Sequence, residues 1–185
     1  MTHLLLGGSS LLALVSYIVY IRAIFQGRAK PHRTTRFILA LITITATWSL
    51  IAQGSSGAVW LSGAFAIGCL AVFVLSLKYG MGGWTKVDLG CLIISVLGIF
   101  IWQLTTNPLF GLFSSILADL FGQIPMLIKT YKFPKTEVWT FYFLDILASV
   151  LNLLAISNWT IGESTYPLYI IFIDSLTVFL IIRPV

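Results

Sequence analysis

Three of the six carboxylates in this chain stand where a carboxylate is costly: Asp119, Asp145 and Asp174 each fall near the middle of a long apolar run. An aspartate at the centre of a membrane-crossing helix costs about 2.5–3.5 kcal/mol on insertion scales, so three facing lipid would cost on the order of 8–10 kcal/mol. Acidic groups kept at that depth face a bundle interior or a water-filled passage and mark ion or solute paths. Spacing adds neutral partners to the same faces. Gln123 follows Asp119 by four residues, one helical turn; Asp145, Ser149 and Asn152 keep a 0, 4, 7 rhythm; Asp174 and Thr177 make a shorter pair. The chemistry expected of such a set is ion coupling or solute recognition. Asp119, Asp145 and Asp174 would be the charged members, and Gln123 and Asn152 the solute contacts. No lysine, arginine or histidine is expected at their depth, so protons, sodium or a cationic solute must balance them. The plainer alternative, neutral aspartates that hydrogen-bond between helices, stays open. Asp88, Glu137 and Glu163 lie beside loops and read as solvated or helix-end charges, with Glu137 at a helix start that favours a negative group.

The elements that must position these residues follow from composition. Of 185 residues, 58% are hydrophobic and 9% charged, against about 25% charged in an average soluble domain. A soluble domain of this size has too little interior to hide that much apolar surface. A bilayer-crossing helix needs about 20 mainly apolar residues, and seven stretches qualify: 4–25, 36–53, 58–78, 87–105, 108–130, 137–157 and 166–183. Short segments rich in turn formers join them: QGRAKPHRTT, GSSG, YGMGGWTK, TTNP, YKFPKT and NWTIGEST. The N-terminal run has its positive charges after the apolar stretch, which reads as a retained first span rather than a cleaved leader. Cys69 and Cys91 fall in apolar runs and read as buried thiols.

With seven spans drawn, every lysine and arginine falls at one side of the bundle, and the other side has only Glu163. Basic loops stay cytoplasmic, which sets the N-terminus outside and the C-terminus inside. Trp60, Trp102 and Trp159 then mark the outer boundary and Trp84 and Trp139 the inner one, with Trp48 deeper. An Asn158-Trp-Thr acceptor pattern lies on the outer side. The chain also overlays itself. Shifted by 103 residues without a gap, Pro31 meets Pro134, Leu41 meets Leu144, Leu50 meets Leu153, Ala52 meets Ala155, Ile67 meets Ile170 and Leu77 meets Leu180. Residues 1–78 and 108–185 thus form two parallel three-helix repeats, joined by a linker helix within 79–107. Parallel repeats about an axis along the membrane normal are an arrangement used by secondary transporters, with the solute site between the halves. In the first repeat, Ser16, Ile42 and Ala71 match the three aspartates. That half offers neutral contacts instead, among them Tyr17, Tyr20, Thr43, Thr47 and Trp48; Trp48 is the member expected to meet solute.

The stretch GQIPMLIKTYKFPKTE, 122 to 137, has a Gln/Pro break, a basic Lys-Thr turn and an acidic residue opening the next helix. With the 3+1+3 layout and the outside N-terminus, it resembles the SWEET/PQ-loop (MtN3-like) transporter superfamily. Gln123-Ile124-Pro125 departs from the literal Pro-Gln pair, and Arg22 stands at the matching place in the first repeat. The resemblance implies an all-α polytopic membrane protein that moves a small organic solute, such as a sugar or amino acid, by alternating access, in some members with protons. It also implies that Pro125 is a hinge. Nicotinamide riboside transporters share a similar layout, so the layout does not choose a solute. A receptor or sorting protein of the same fold, binding a peptide or lipid without transport, is the rival expectation.

Other classes find no footing. The seventh span lacks the lysine that a retinal protein needs, His3 and His32 fall at opposite membrane faces, and no cofactor or metal pattern is expected. Nucleophilic triads and phosphate loops are absent from the sequence, and its short loops cannot house a catalytic domain, so no enzyme is expected. The basic loops suit anionic lipid headgroups and give no reason to invoke nucleic acid. Oligomeric state and host membrane are left open.

Overall fold

The computed structural model describes residues 2–52, 58–105, 108–156, 159 and 161–184. Among these residues the chain is all-helical, with seven α-helices and no strand: α1 (Thr2–Phe25), α2 (Arg33–Ala52), α3 (Ala58–Tyr79), α4 (Lys86–Leu104), α5 (Pro108–Lys132), α6 (Trp139–Ala155) and α7 (Ile161–Ile182). One 3₁₀ turn, Pro134–Thr136, stands between α5 and α6. The GSSG turn, the Thr106-Asn107 of TTNP and the Asn158 acceptor lie outside the described residues.

Four segments are long and apolar enough to cross a membrane: Gly7–Phe25, Lys86–Leu104, Leu112–Lys132 and Ser164–Ile182. Apolar segments also occupy Phe65–Tyr79 and Trp139–Ala155 but are shorter. At 17 residues, α6 extends about 25 Å, short of a hydrocarbon core of about 30 Å. α2 carries Arg33, Arg36 and several threonines, which lower its hydropathy.

Local chemistry sets the helix ends. α1 stops at Gly27, whose φ of +71° suits a residue without a side chain. Its last carbonyls are closed by Arg28 N–H to Ala23 and Gly27 N–H to Ile24, at 2.9 and 3.0 Å. α4 opens with a reciprocal cap in which Asp88 N–H donates to the Thr85 hydroxyl and Thr85 N–H donates to the Asp88 carboxylate, at 3.2 and 2.8 Å. Pro134 blocks continuation of α5 and directs the chain into the 3₁₀ turn.

The helices close into a ring. Going round, α1 packs on α3, α3 on α2, α2 on α5, α5 on α7, α7 on α6, and α6 returns to α1. α4 sits outside the ring against α5 and α2. Two seams join the helices of the first half to those of the second, α1 with α6 and α2 with α5. On the first seam Tyr20 meets Glu137 and Ser16 meets Asp145, so the two helices run antiparallel. On the second the backbones come close at Gly122, where an added Cβ would lie 2.6 Å from Ile38 Cγ2. α4 approaches α5 just as closely, with Gly98 against Ala118 and Ser95 donating to the Ala118 carbonyl at 2.8 Å.

The basic connections gather at one end of this ring. Lys30 N–H donates to Thr136 at 2.8 Å, Met81 N–H to Pro31 at 3.0 Å, and Arg33 to the Gly82 carbonyl at 2.9 Å. Arg183 reaches the Tyr131 carbonyl with its guanidinium 3.9 Å over that ring. His32 is enclosed here beneath Gly82, whose added Cβ would come within 2.6 Å of the imidazole. Burial pushes the His32 imidazole down to about 4, although Asp88, 3.6 Å away, pulls it the other way.

Candidate functional site

Asp119, Asp145 and Asp174 are brought into one electrostatic neighbourhood from three helices, with the charges of Asp119 and Asp145 both reaching Asp174. Each has a distinct setting. Asp119, buried on α5, accepts a short hydrogen bond from the Tyr169 hydroxyl of α7. Asp145, half-buried on α6, accepts from the Ser16 hydroxyl of α1 at 2.6 Å, across the seam between the halves. Asp174, on α7, is 7% exposed. Among the described residues no three acidic, histidine or cysteine groups converge as a metal-ligand set, so the trio shares charge rather than a common ligand point.

Neutral groups surround them. Gln123 is buried one turn from Asp119 on the same helix. Tyr17 bonds to Cys69 at 3.0 Å and packs against Phe65 and Phe141. Its ring rests against Gly68, where an added Cβ would fall 3.1 Å from it. Tyr166 and Tyr169 pair on α7, 6.3 Å between centroids. Asn152 and Ser149 are half-buried on the face of α6 that carries Asp145. Trp48 does not join this set: it is 71% exposed on α2. Pro125 is buried within α5, between Asp119 and the basic end.

Three expectations need correction. Arg36, read as a boundary charge, is 4% exposed, and its charge reaches all three aspartates. Its guanidinium lies 4.5 Å over the Tyr20 ring and 5.5 Å over Phe141, and donates to the Tyr142 hydroxyl at 3.4 Å. A cation therefore does stand within reach of the trio. Glu137, read as a solvated helix-end charge, is buried, paired with Lys129, and accepts from Tyr20 and Tyr142 at 2.7 and 3.0 Å. Asp88 does cap α4, as its position implied, but it is buried against His32 rather than solvated.

Sequence reasoning missed Tyr169, Tyr142, Arg36 and the Lys129–Glu137 pair. One local signal existed for the pair, a lysine and a glutamate flanking the Phe133-Pro134 break. The tyrosines give none, since an aromatic in an apolar run looks like packing. Compared with protein-family models, curated proteins and solved structures, the chain matches none.

Proposed function

We propose that the chain is a multi-pass membrane transporter of the SWEET/PQ-loop type that moves a small organic solute by alternating access, with protons as the coupling ion. In this reading all seven helices cross the bilayer, the N-terminus is outside, the basic end is cytoplasmic, and 1–78 and 108–185 are parallel repeats linked through α4. The single observation that carries it is the neighbour order. The first half packs as α1–α3–α2 and the second as α5–α7–α6, and the seams α1–α6 and α5–α2 are the same relation under exchange of halves. Individual contacts support the exchange. After the 103-residue shift Ile38 and Gly122 of one seam correspond to Phe141 and Val19 of the other, and the ring of Tyr20, next to Val19, lies 4.5 Å from that of Phe141. The gathering of basic loops at one end supports the orientation.

Coupling rests on charge. Three interior carboxylates face one guanidinium, Arg36, which leaves a negative surplus that protons or a cationic solute must offset. Gln123, Asn152 and the tyrosines of the interior supply neutral contacts for the solute. A thermal-shift screen of a metabolite collection against the purified chain identifies the solute, because a bound ligand stabilises according to its affinity. Uptake of that solute into proteoliposomes, with and without a pH gradient, then tests transport. Saturable flux that rises with an inward-acid gradient, and loses that dependence in Asp145→Asn, is expected. Binding and conformational change without flux would instead make the chain a receptor. Unchanged binding and pH dependence in Asp145→Asn would reduce that residue to packing.

A further inference from the structure

Lys129 and Glu137 stand on either side of the α5–α6 break, and each is 5% exposed. Lys129 Nζ donates to Glu137 Oε1 and, at 2.6 Å, to the Lys30 carbonyl. Glu137 Oε2 accepts from Tyr20 at 2.7 Å and Tyr142 at 3.0 Å, and Tyr142 accepts from Arg36 at 3.4 Å. A buried ion pair offsets its desolvation only when its remaining donors and acceptors are also satisfied, and here both carboxylate oxygens are. Three of these bonds join residues of the first half to residues of the second: Tyr20 to Glu137, Arg36 to Tyr142 and Lys129 to Lys30. For a static bundle, apolar packing in this position would serve as well, because exchanging a buried pair for hydrophobic groups is often neutral or stabilising. The bonds around the pair reach Tyr20, Lys30 and Arg36 of the first half, so the cluster as a whole holds one arrangement of the halves, which is the property of a switching element.

Its depth fixes what it separates. Lys129 follows Asp119 by ten residues on α5, about 15 Å, and Glu137 stands two residues before α6, from whose first residue Asp145 lies about 9 Å along the axis. The pair thus lies between the interior carboxylates and the basic loops.

We infer that the Lys129–Glu137 pair, with Tyr20, Tyr142 and Arg36, is a latch that closes the basic end between the two halves. This deepens the transport reading and rests on it. The structure is then the state shut toward the basic side, and access from that side requires the two halves to part at the latch.

The native thiols provide the test. Cys69 is 4% exposed, bonded to Tyr17, and lies beyond the latch, and in a Cys91→Ser chain it is the sole thiol. Sealed vesicles are prepared with the basic end facing the medium, their orientation set by a control thiol at the exposed Lys135. A membrane-impermeant cationic methanethiosulfonate is added and Cys69 modification is followed by mass spectrometry of its peptide. Lys129→Met and Glu137→Gln should each raise the rate at least tenfold, and Lys132→Met, at an exposed site, should leave it unchanged. The two latch changes shift local charge in opposite directions, so a rise in both cannot come from attraction of the reagent. Unchanged rates in the folded variants, or an equal rise in Lys132→Met, overturn the latch.

A lock at surface positions gives the reverse reading and does not disturb the buried pair. Lys30 and Thr136 are joined by the 2.8 Å backbone bond, and Lys30→Cys with Thr136→Cys, oxidised, should suppress Cys69 modification, with reduction restoring it. Equal rates in the two forms overturn the proposal. Labelling needs no solute, so a latch that opens in a chain without flux sinks transport and not the latch, and flux through an oxidised lock does the opposite.

Discussion

Tyr169 and Asp119 hold each other across α5 and α7, and the pair shows how a carboxylate is kept inside so apolar a bundle. A buried acceptor deprived of its donor keeps the whole cost of leaving water, about 1–3 kcal/mol. Tyr169→Phe should therefore lower stability by about that amount, while Asp119→Asn, which can still accept from the hydroxyl, should cost less. Combining the two changes should recover part of the loss, because the amide that remains without a donor is neutral. Unfolding of the four proteins in mixed detergent measures the cycle. His32 makes a separate prediction outside the spans. Its folded value of about 4 lies below the ordinary 6.5. Above pH 6.5 neither state takes a proton there; between 6.5 and 4 the unfolded chain takes one first, so stability falls as the pH falls. The full effect is about 3 kcal/mol. The His32→Gln chain should show a flatter stability profile than the native one between pH 7 and 4.5, and parallel profiles would remove His32 from the balance.

Helices meet where side chains are smallest, and Gly122 against Ile38 is the tightest meeting on the α2–α5 seam. A methyl at Gly122 would press on a β-branched side chain that has no flexible end to move aside, and overpacking of this kind costs about 1–3 kcal/mol. Gly122→Ala should destabilise by that much, and Ile38→Ala in the same chain should relieve it, as read by thermal unfolding. This contact also shows what the sequence could and could not tell. The seven helices were legible because glycines, prolines and hydroxylated residues interrupt each apolar run, and the observed ends fall close to the expected ones. α7 begins at Ile161 rather than 166 because its polar first turns are helical, with Thr165 turning its hydroxyl back to the Ile161 carbonyl at 2.6 Å. The inward placement of Asp119 and Asp174 followed from cost alone. What was hidden depends on partners distant in sequence. Glu137 looks like a loop charge beside Lys135 and Thr136, and is buried because Tyr20 and Lys129 close over it. Arg36 looks like the last of a run of basic residues, and is interior because Tyr20 and Phe141 offer their ring faces.

Charge is arranged over the whole molecule in two zones, an exposed basic end and an enclosed interior. Within the interior Glu137 is paired with Lys129 and also lies within reach of Arg36, whose charge extends to Asp119, Asp145 and Asp174. Arg36 is thus shared between Glu137 and the trio: it bonds to Tyr142 and stacks on two rings, and its charge is felt by Glu137 and by all three aspartates. Removing one partner from a buried charge group costs about 3–5 kcal/mol, because the charges left behind are uncompensated. Arg36→Met should lower stability by that order. If the loss came from packing on Tyr20 and Phe141 alone, no change among the carboxylates would mend it. If it comes from the charge balance, Asp174→Asn in the same chain should restore at least half, because the double variant has one carboxylate fewer to leave unbalanced. A thermal-unfolding cycle of the native chain, the two single variants and the double variant reads the coupling directly. Strict additivity would show that the interior charges are settled locally, and a coupling of more than about 1 kcal/mol would show that they are balanced across the ring.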